Sequence, residues 1–86
     1  MKLWGKLWKD NHLLQDTMVT VDSDDTRTHK IFRALEEICL EFDLPRPIWL
    51  ETNISQFKRH KSAKFRQDSF IEEIDFDYLE IQVLEE

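Results

Sequence analysis

The sequence is poor in the residues that cross-link or sharply bend a chain. It contains one cysteine, one glycine and two prolines among 86 residues. A single cysteine excludes an internal disulfide, so packing alone must hold the fold, and a reducing cytoplasm is the expected location. So little glycine and proline argues against collagen-like, linker-like and many-turned small-barrel architectures. We therefore expect long elements joined by few turns.

Long apolar runs are also missing. No segment approaches the roughly 18–20 apolar residues that span a bilayer, and residues 1–10 lack the apolar stretch of a secretory signal. The net charge of −6 opposes nonspecific attraction to nucleic acid or anionic lipid. The chain is nevertheless 41% apolar, which is typical of folded proteins, and its length suits one domain. We expect a single domain over residues 1–86 that makes no membrane contact.

The apolar side chains of residues 1–9 fit the periodicity of a strand and also that of a helix. As a strand, they place both tryptophans and two lysines on one face and both leucines on the other. As a helix, the leucines and tryptophans form one stripe opposite the lysines, which is typical of a short interfacial membrane segment. We favour the strand, because residues 17–21 are dense in β-branched side chains and follow turn-forming residues at 10–12. The two segments then predict an antiparallel hairpin.

The spacing of apolar residues predicts a long helix in the middle of the chain. Acidic and hydroxyl side chains at 22–26 are suited to cap its first turn, and the prolines at 45 and 47 stop it. Its apolar positions recur at intervals of one, three and four, which predicts one stripe packed on a sheet. That stripe contains Ile31, Phe32, Leu35, Ile38, Cys39 and Phe42.

The last third of the chain predicts three further features. Asn53 and Gln56 resemble a capping box, which indicates a short helix from Ile54 to about His60 with Ile54 and Phe57 inward. Residues 48–50 suggest a short extended return, and residues 62–69 a loop. Residues 79–83 alternate apolar and polar, so they predict a strand with its apolar side chains facing the core.

These elements together predict an α+β fold. Its small antiparallel sheet consists of the N-terminal hairpin plus the C-terminal strand. One long helix covers one face of the sheet, and the fold includes a second, short helix. The order of the strands is left open.

Catalytic and metal-binding patterns are absent. The chain has no glycine-rich phosphate loop, and Cys39 lies in the apolar stripe, where we expect a core thiol rather than a nucleophile. The acidic residues at 22, 24 and 25 lack the glycine and terminal acid of a calcium loop, so we interpret them as helix caps. His12, His29 and His60 are too widely spaced in sequence to indicate zinc. We expect no enzyme, no metal and no cofactor.

One segment interleaves bases with aromatic residues. Such a segment suits binding of a polyanion such as single-stranded nucleic acid, in which bases stack on aromatic rings and cations neutralise phosphates. The opposing interpretation is that the bases pair with the acidic residues that follow, while the aromatic side chains enter the core. The candidate polyanion-binding residues are Lys58, Arg59, Lys61, Lys64 and Arg66.

Tryptophan is frequent for so short a chain. A single helix covers only one face of a sheet, so the strand interpretation leaves Trp4 and Trp8 on an uncovered face beside lysines. Aromatic residues of this kind are enriched at protein interfaces. The leading hypothesis is therefore a non-enzymatic interaction module whose partner is another protein or a second copy of the chain, with Trp4 and Trp8 as candidate interface residues. Polyanion binding is the alternative.

The overall layout resembles that of a group of short uncharacterised bacterial proteins. The resemblance depends on the opening KLW hairpin, the helix start at Asp24-Asp25-Thr26 and the closing DFDYLEI segment at 75–81. It implies a bacterial domain that stands alone. No catalytic or ligand-binding motif accompanies it, so it implies no activity and no site residues.

Overall fold

The structure is a computed structural model that describes all residues from 1 to 86. The protein has two layers, a sheet and a pair of helices. Four antiparallel strands form the sheet in the order β2-β1-β4-β3. Two helices lie on one face of this sheet, so the fold is α+β as predicted. In chain order the elements are β1 (Lys2–Lys9), β2 (His12–Thr20), α1 (Arg27–Glu41), α2 (Glu51–His60), β3 (Ser62–Phe65), a 3-10 turn (Gln67–Ser69) and β4 (Tyr78–Glu85).

The N-terminal segment is a hairpin and not an interfacial helix. Asp10 and Asn11 connect β1 to β2 with φ angles of 51° and 64°. Two successive positive φ values characterise the tight turn whose twist matches that of antiparallel strands, and asparagine and aspartate tolerate this conformation. Strand β2 begins at His12, earlier than the β-branched segment indicated, with a bulge opposite Leu7 and Trp8. Neither helix of the structure has the length and apolar character needed to cross a bilayer.

Helix α1 has the predicted position and clear end signals. Thr26 is its N-cap, and the hydroxyl oxygen of Thr26 accepts a hydrogen bond from the His29 amide at 3.3 Å. At the other end Asp43 is left-handed, with φ of 56°, and the Leu44 amide donates to the Cys39 carbonyl at 2.8 Å. This arrangement is a Schellman ending, so α1 stops before the prolines are reached.

The inward stripe of α1 is confirmed except at one position. Ile31, Leu35, Ile38, Cys39 and Phe42 are buried, and Ala34 joins them. The prediction that Phe32 is also buried was wrong, because this side chain is 47% exposed at the edge of the stripe. Its ring instead contacts that of Trp49, with centroids 5.9 Å apart.

The segment between α1 and β4 differs most from expectation. Helix α2 begins at Glu51, three residues early, because Asn53 acts from inside the first turn: its Oδ1 accepts from the Leu50 amide at 3.0 Å. Residues 48–50 form no strand, and the predicted loop contains β3. Ile54 is 41% exposed rather than inward, whereas Phe57 is buried as predicted.

Strand β3 explains why the sheet has four strands instead of three. It pairs with β4 through Ala63 opposite Ile81 and Phe65 opposite Leu79. These four side chains lie in the core, so the alternation predicted for β4 is confirmed. With β1 on its other side, β4 is a central strand.

Gly5 allows α1 to approach the sheet closely. A Cβ atom at this position would lie 2.6 Å from Cγ2 of Ile38, which is fully buried. A side chain there would have to displace the helix or force Ile38 out of its rotamer. The only glycine of the chain therefore marks a point where the helix approaches the sheet closely.

Candidate functional site: the open face of the sheet

The sheet face turned away from the helices carries the most organised set of polar and aromatic side chains in the protein. Alternation along β1 sends Leu3 and Leu7 towards the helices and the tryptophans to the other side. We call this second side the open face. Its main residues are Trp4, Lys6 and Trp8 of β1, Leu13, Asp16 and Met18 of β2, Tyr78, Glu80 and Gln82 of β4, and Lys64 of β3.

A row of four charged residues crosses the middle of the open face. The strand register places Lys6 opposite Asp16 on one side and opposite Glu80 on the other, and Glu80 opposite Lys64. The signs therefore alternate from one edge of the sheet to the other. Opposite charges in such neighbouring positions attract each other, so the row is electrically balanced within the protein.

Lys6 is the most enclosed member of this charged row, with only 8% of its surface exposed. Its ammonium donates to Oε1 of Gln82 at 3.2 Å and lies 3.4 Å from Oε1 of Glu80. It also lies 4.0 Å from the centre of the Trp4 ring. A buried ammonium needs such partners to offset its lost hydration, so Lys6 is held in one orientation.

Both tryptophans of the open face are anchored to the charged row. The Trp4 indole N–H donates to Oδ2 of Asp16 at 2.9 Å, and the Trp8 indole N–H donates to Oε1 of Glu80 at 3.0 Å. Both side chains are half-buried. Their polar atoms are satisfied within the protein, so what the rings offer to a partner is apolar surface held in place.

Apolar rows flank the charged row on both sides. On one side, Leu13, Trp8 and Tyr78 lie next to one another across three strands, with the Trp8 and Tyr78 ring centres 6.3 Å apart. On the other side, Met18 lies opposite Trp4. Met18 is 53% exposed and Leu13 is 43% exposed. The open face therefore combines exposed apolar area with an ordered pattern of charge.

The five bases of the candidate polyanion site do not form one surface. Lys64 and Arg66 lie over the Tyr78 ring, at 5.1 and 5.0 Å from its centre. Lys61 pairs with Glu86 at 3.1 Å. The other two bases, at 58 and 59, lie on α2 in the helix layer. The structure thus brings two of the five together, and it adds an aromatic ring that sequence reasoning did not include.

The predicted interface residues Trp4 and Trp8 do share the open face, but most of their neighbours were missed. The alternation along β1 placed Lys6 there, and that along residues 79–83 placed Glu80 on the side opposite the apolar residues of β4. The missing information was the strand order, which sets β1 against β4. Only that pairing puts Glu80 within reach of both Lys6 and Trp8.

The remaining candidates for chemistry lie apart from this face. Burial raises the pKa of the Cys39 thiol to about 11, and the charge of Arg46 offsets only part of this effect. A neutral, buried thiol is a poor nucleophile. No three histidine, cysteine, aspartate or glutamate side chains converge to form a metal site.

No protein-family model, no curated protein and no solved structure matches this chain. The resemblance of its layout to short bacterial proteins therefore stays a prediction.

Proposed function

We propose that the protein is a non-enzymatic interaction module that forms a homodimer, with the open face of one copy packed against the open face of a second. The observation that carries this proposal is the alternating row of Asp16, Lys6, Glu80 and Lys64. This row is complementary to itself under one of the two-fold rotations that bring two open faces together.

The symmetry follows from the order of the charges. A two-fold axis parallel to the strands reverses the strand order of the second copy, so Asp16 faces the partner subunit's Lys64. By the same rotation Lys6 faces Glu80 of the partner subunit. A two-fold axis that lies in the plane of the sheet but perpendicular to the strands instead places each charged residue opposite the same residue of the partner subunit, which is repulsive. The favourable rotation also keeps the two sets of strands aligned, as in common sheet-on-sheet packing.

The flanking apolar rows are compatible with the same rotation. It sets Trp8 against the partner subunit's Tyr78, and it covers the exposed side chains of Leu13 and Met18. Aromatic contacts of this kind contribute more binding free energy than the area that they bury would supply alone. The interface then has apolar anchors on both sides of a polar centre.

The area of the open face indicates the size class of the proposed interface. Four strands at normal spacing make a face about 19 Å wide, which is about 26 Å long along β1, β2 and β4 but only about 13 Å long along the four-residue β3. Each copy thus contributes roughly 450 Å², or about 900 Å² for the pair, which is the size of weak or transient interfaces. We therefore expect a dimer with a dissociation constant in the micromolar range.

Charge exchange tests both the face and the axis. Lys64→Glu sets a carboxylate against the partner subunit's Asp16 at two places in the dimer, and Asp16→Lys likewise sets two ammonium groups together. Each single variant should weaken the dimer about ten-fold or more. The double variant restores complementarity and should recover most of the loss. Sedimentation equilibrium measures the dissociation constants, and circular dichroism confirms that each variant folds.

A matched control uses Lys58→Glu, which makes the same change of charge on α2, away from the open face. It should leave the dimer intact. A wild-type chain that sediments as a monomer at about 100 µM would refute the proposal, because a dimer with a micromolar dissociation constant is largely formed at that concentration. A double variant no better than the singles would refute the axis.

Polyanion binding remains the second candidate because Lys64 and Arg66 both lie over Tyr78. A ring flanked by two cations suits a stacked base with its phosphate. A monomeric chain that retains a single-stranded oligonucleotide at about 50 mM salt and releases it at about 200 mM would favour this candidate over the dimer. Loss of retention in Tyr78→Ala would locate the contact.

The cytoplasm is the location that we propose for this association. The sole cysteine is buried and unpaired, so a reducing environment suits the fold.

A further inference from the structure

The helix layer contains a cleft that has no part in the proposed dimer. Helices α1 and α2 are bridged by Trp49, whose ring centre lies 5.9 Å from that of Phe32 and 5.8 Å from that of Phe57. Above this bridge the two helices leave a cleft of about 240 Å³. Its lining residues are Arg27, Thr28, Ile31, Phe32, Trp49, Ile54, Phe57 and Lys58.

The walls of the cleft are unusually apolar for a protein surface. Ile31 and Phe57 form a buried floor, and Trp49 is half-buried beside them. Phe32 on α1 and Ile54 on α2 stand on opposite walls, 47% and 41% exposed. Both had been expected in the core, so their position at the surface gives the cleft apolar sides as well as an apolar floor.

The rim of the cleft carries two cations in a protein whose net charge is −6. Lys58 contributes one from α2, and Arg27 contributes the other from the start of α1. The Arg27 guanidinium also lies 5.4 Å from the centre of the Phe57 ring, at the edge of the floor. The residues that line the cleft therefore carry charge of the opposite sign to that of the protein as a whole.

Arg27 already binds a carboxylate of the protein itself, that of Glu86, which does not line the cleft. The Nε–H of Arg27 donates to Oε1 of Glu86, and Lys61 lies 3.1 Å from the second oxygen. These two hydrogen bonds lower the pKa of the Glu86 carboxyl below its ordinary value. The Arg27 guanidinium therefore already holds one carboxylate next to the cleft.

We propose that this cleft is a binding site for a small carboxylate with an apolar tail, such as a medium-chain fatty acid. The tail lies between Phe32 and Ile54 on the floor of the cleft, and the carboxylate is held by Lys58 and Arg27. Sites for drug-sized ligands have volumes of about 300 Å³ or more. The cleft is smaller than this, so it suits a ligand with a short hydrocarbon tail. Because the cleft lies in the helix layer, this proposal stands independently of the dimer.

Octanoate is the probe, and the three indole N–H signals in a two-dimensional NMR spectrum are the readout. Trp49 lies in the cleft, whereas Trp4 and Trp8 lie on the open face and serve as internal references. The Trp49 signal should shift and saturate with a dissociation constant of about 0.1–1 mM, as expected for a ligand of this size. Octanol has the same chain without the charge and should bind about ten-fold more weakly.

Two substitutions should change the affinity in opposite directions. Lys58→Gln removes a cation from the rim and should weaken octanoate binding about three- to ten-fold. Glu86→Gln removes the resident carboxylate from Arg27 and should strengthen binding about three-fold, because the guanidinium is released. Arg33→Gln removes a cation from the exposed side of α1, outside the cleft, and should leave the affinity unchanged.

The competing results are equally distinct. Equal affinity for octanol and octanoate, or no effect of Lys58→Gln, would overturn the assignment of the carboxylate to this rim. Equal shifts of all three indole signals, or no shift of any up to about 10 mM octanoate, would overturn the site itself. Weaker binding in Glu86→Gln would exclude competition for Arg27.

Discussion

The contact between Gly5 and Ile38 supports a quantitative prediction about how the two layers pack. In Gly5→Ala the new methyl group would lie 2.6 Å from Cγ2 of Ile38 and 3.0 Å from its Cγ1 and Cδ1. Ile38 of α1 cannot turn out into solvent, because it is fully buried between the helix and the sheet. Either the helix moves away from β1 or the isoleucine leaves its preferred rotamer.

Two opposing effects determine the size of the change. Replacing glycine by alanine inside a strand favours folding by about 0.5–1 kcal/mol, because the unfolded chain loses freedom. Overpacking a dense core opposes folding by about 1–3 kcal/mol. Since the closest approach is far below normal contact and all three nearest atoms belong to one rigid, branched side chain, the second effect should dominate. We expect Gly5→Ala to lower the free energy of unfolding by about 1–2 kcal/mol.

A double-mutant cycle isolates the contact. Ile38→Ala alone should lower the free energy of unfolding by about 2–5 kcal/mol through the cavity that it leaves. In that background Gly5→Ala meets no obstacle and should be neutral or stabilising, which gives a coupling of about 2 kcal/mol. Urea titration followed by tryptophan fluorescence measures all four free energies.

Additive effects would refute this reasoning. If Gly5→Ala costs the same with and without the Ile38 side chain, the close approach of α1 to β1 is not what requires glycine. Glycine would then be favoured by some other property of the strand.

The remaining predictions concern two buried groups. Asn53→Ala should lower the free energy of unfolding by about 2–4 kcal/mol. The Asn53 side chain is only 3% exposed, and its loss removes a hydrogen bond from the Leu50 amide, the Ser69 hydroxyl and the Lys64 carbonyl. A loss below about 1 kcal/mol in urea titration would contradict this role. Cys39 should react with a thiol reagent only on unfolding, and fast labelling of the native protein would contradict its burial. The pKa of the Cys39 thiol rises from 9.0 to about 11 on folding, so the unfolded state binds fewer protons between these two pH values. The free energy of unfolding should therefore fall as pH rises through this range, and it should fall further in the wild type than in Cys39→Ala.

Elements with strong local signals were predictable from the sequence. The stripe of α1 and the alternation along β4 each follow from one period over many residues, and both are present in the structure. The hairpin was harder, because residues 1–9 fit both periods. Its partner strand resolved the choice, since a strand needs a neighbour that supplies its hydrogen bonds.

Elements that depend on distant residues were not predictable. Strand β3 has only four residues and no marked pattern, and it exists because β4 lies beside it and because Gln56 accepts a hydrogen bond from the Lys64 amide at 3.1 Å. The face that α2 turns inward is set by Asn53, which binds groups outside the helix. With Asn53 inward, Ile54 is left at the surface.

The candidate sites divide in the same way. Trp4 and Trp8 could be placed on an uncovered face by alternation alone, because neighbouring side chains of a strand point to opposite sides. The alternating charged row could not be predicted, since it joins residues from four strands. The cleft beside Trp49 was also hidden, because it depends on two side chains whose expected burial was wrong.

By itself the sequence determined the fold class, the hairpin, the long helix and the two faces of β1 and β4, because each follows from the periodicity of one segment and of its neighbour along the chain. The tertiary structure alone decided the strand order, the partners of Lys6 and the gap between the helices. These features depend on which distant segments compete for the same buried surface, and that competition is settled only when the whole core packs.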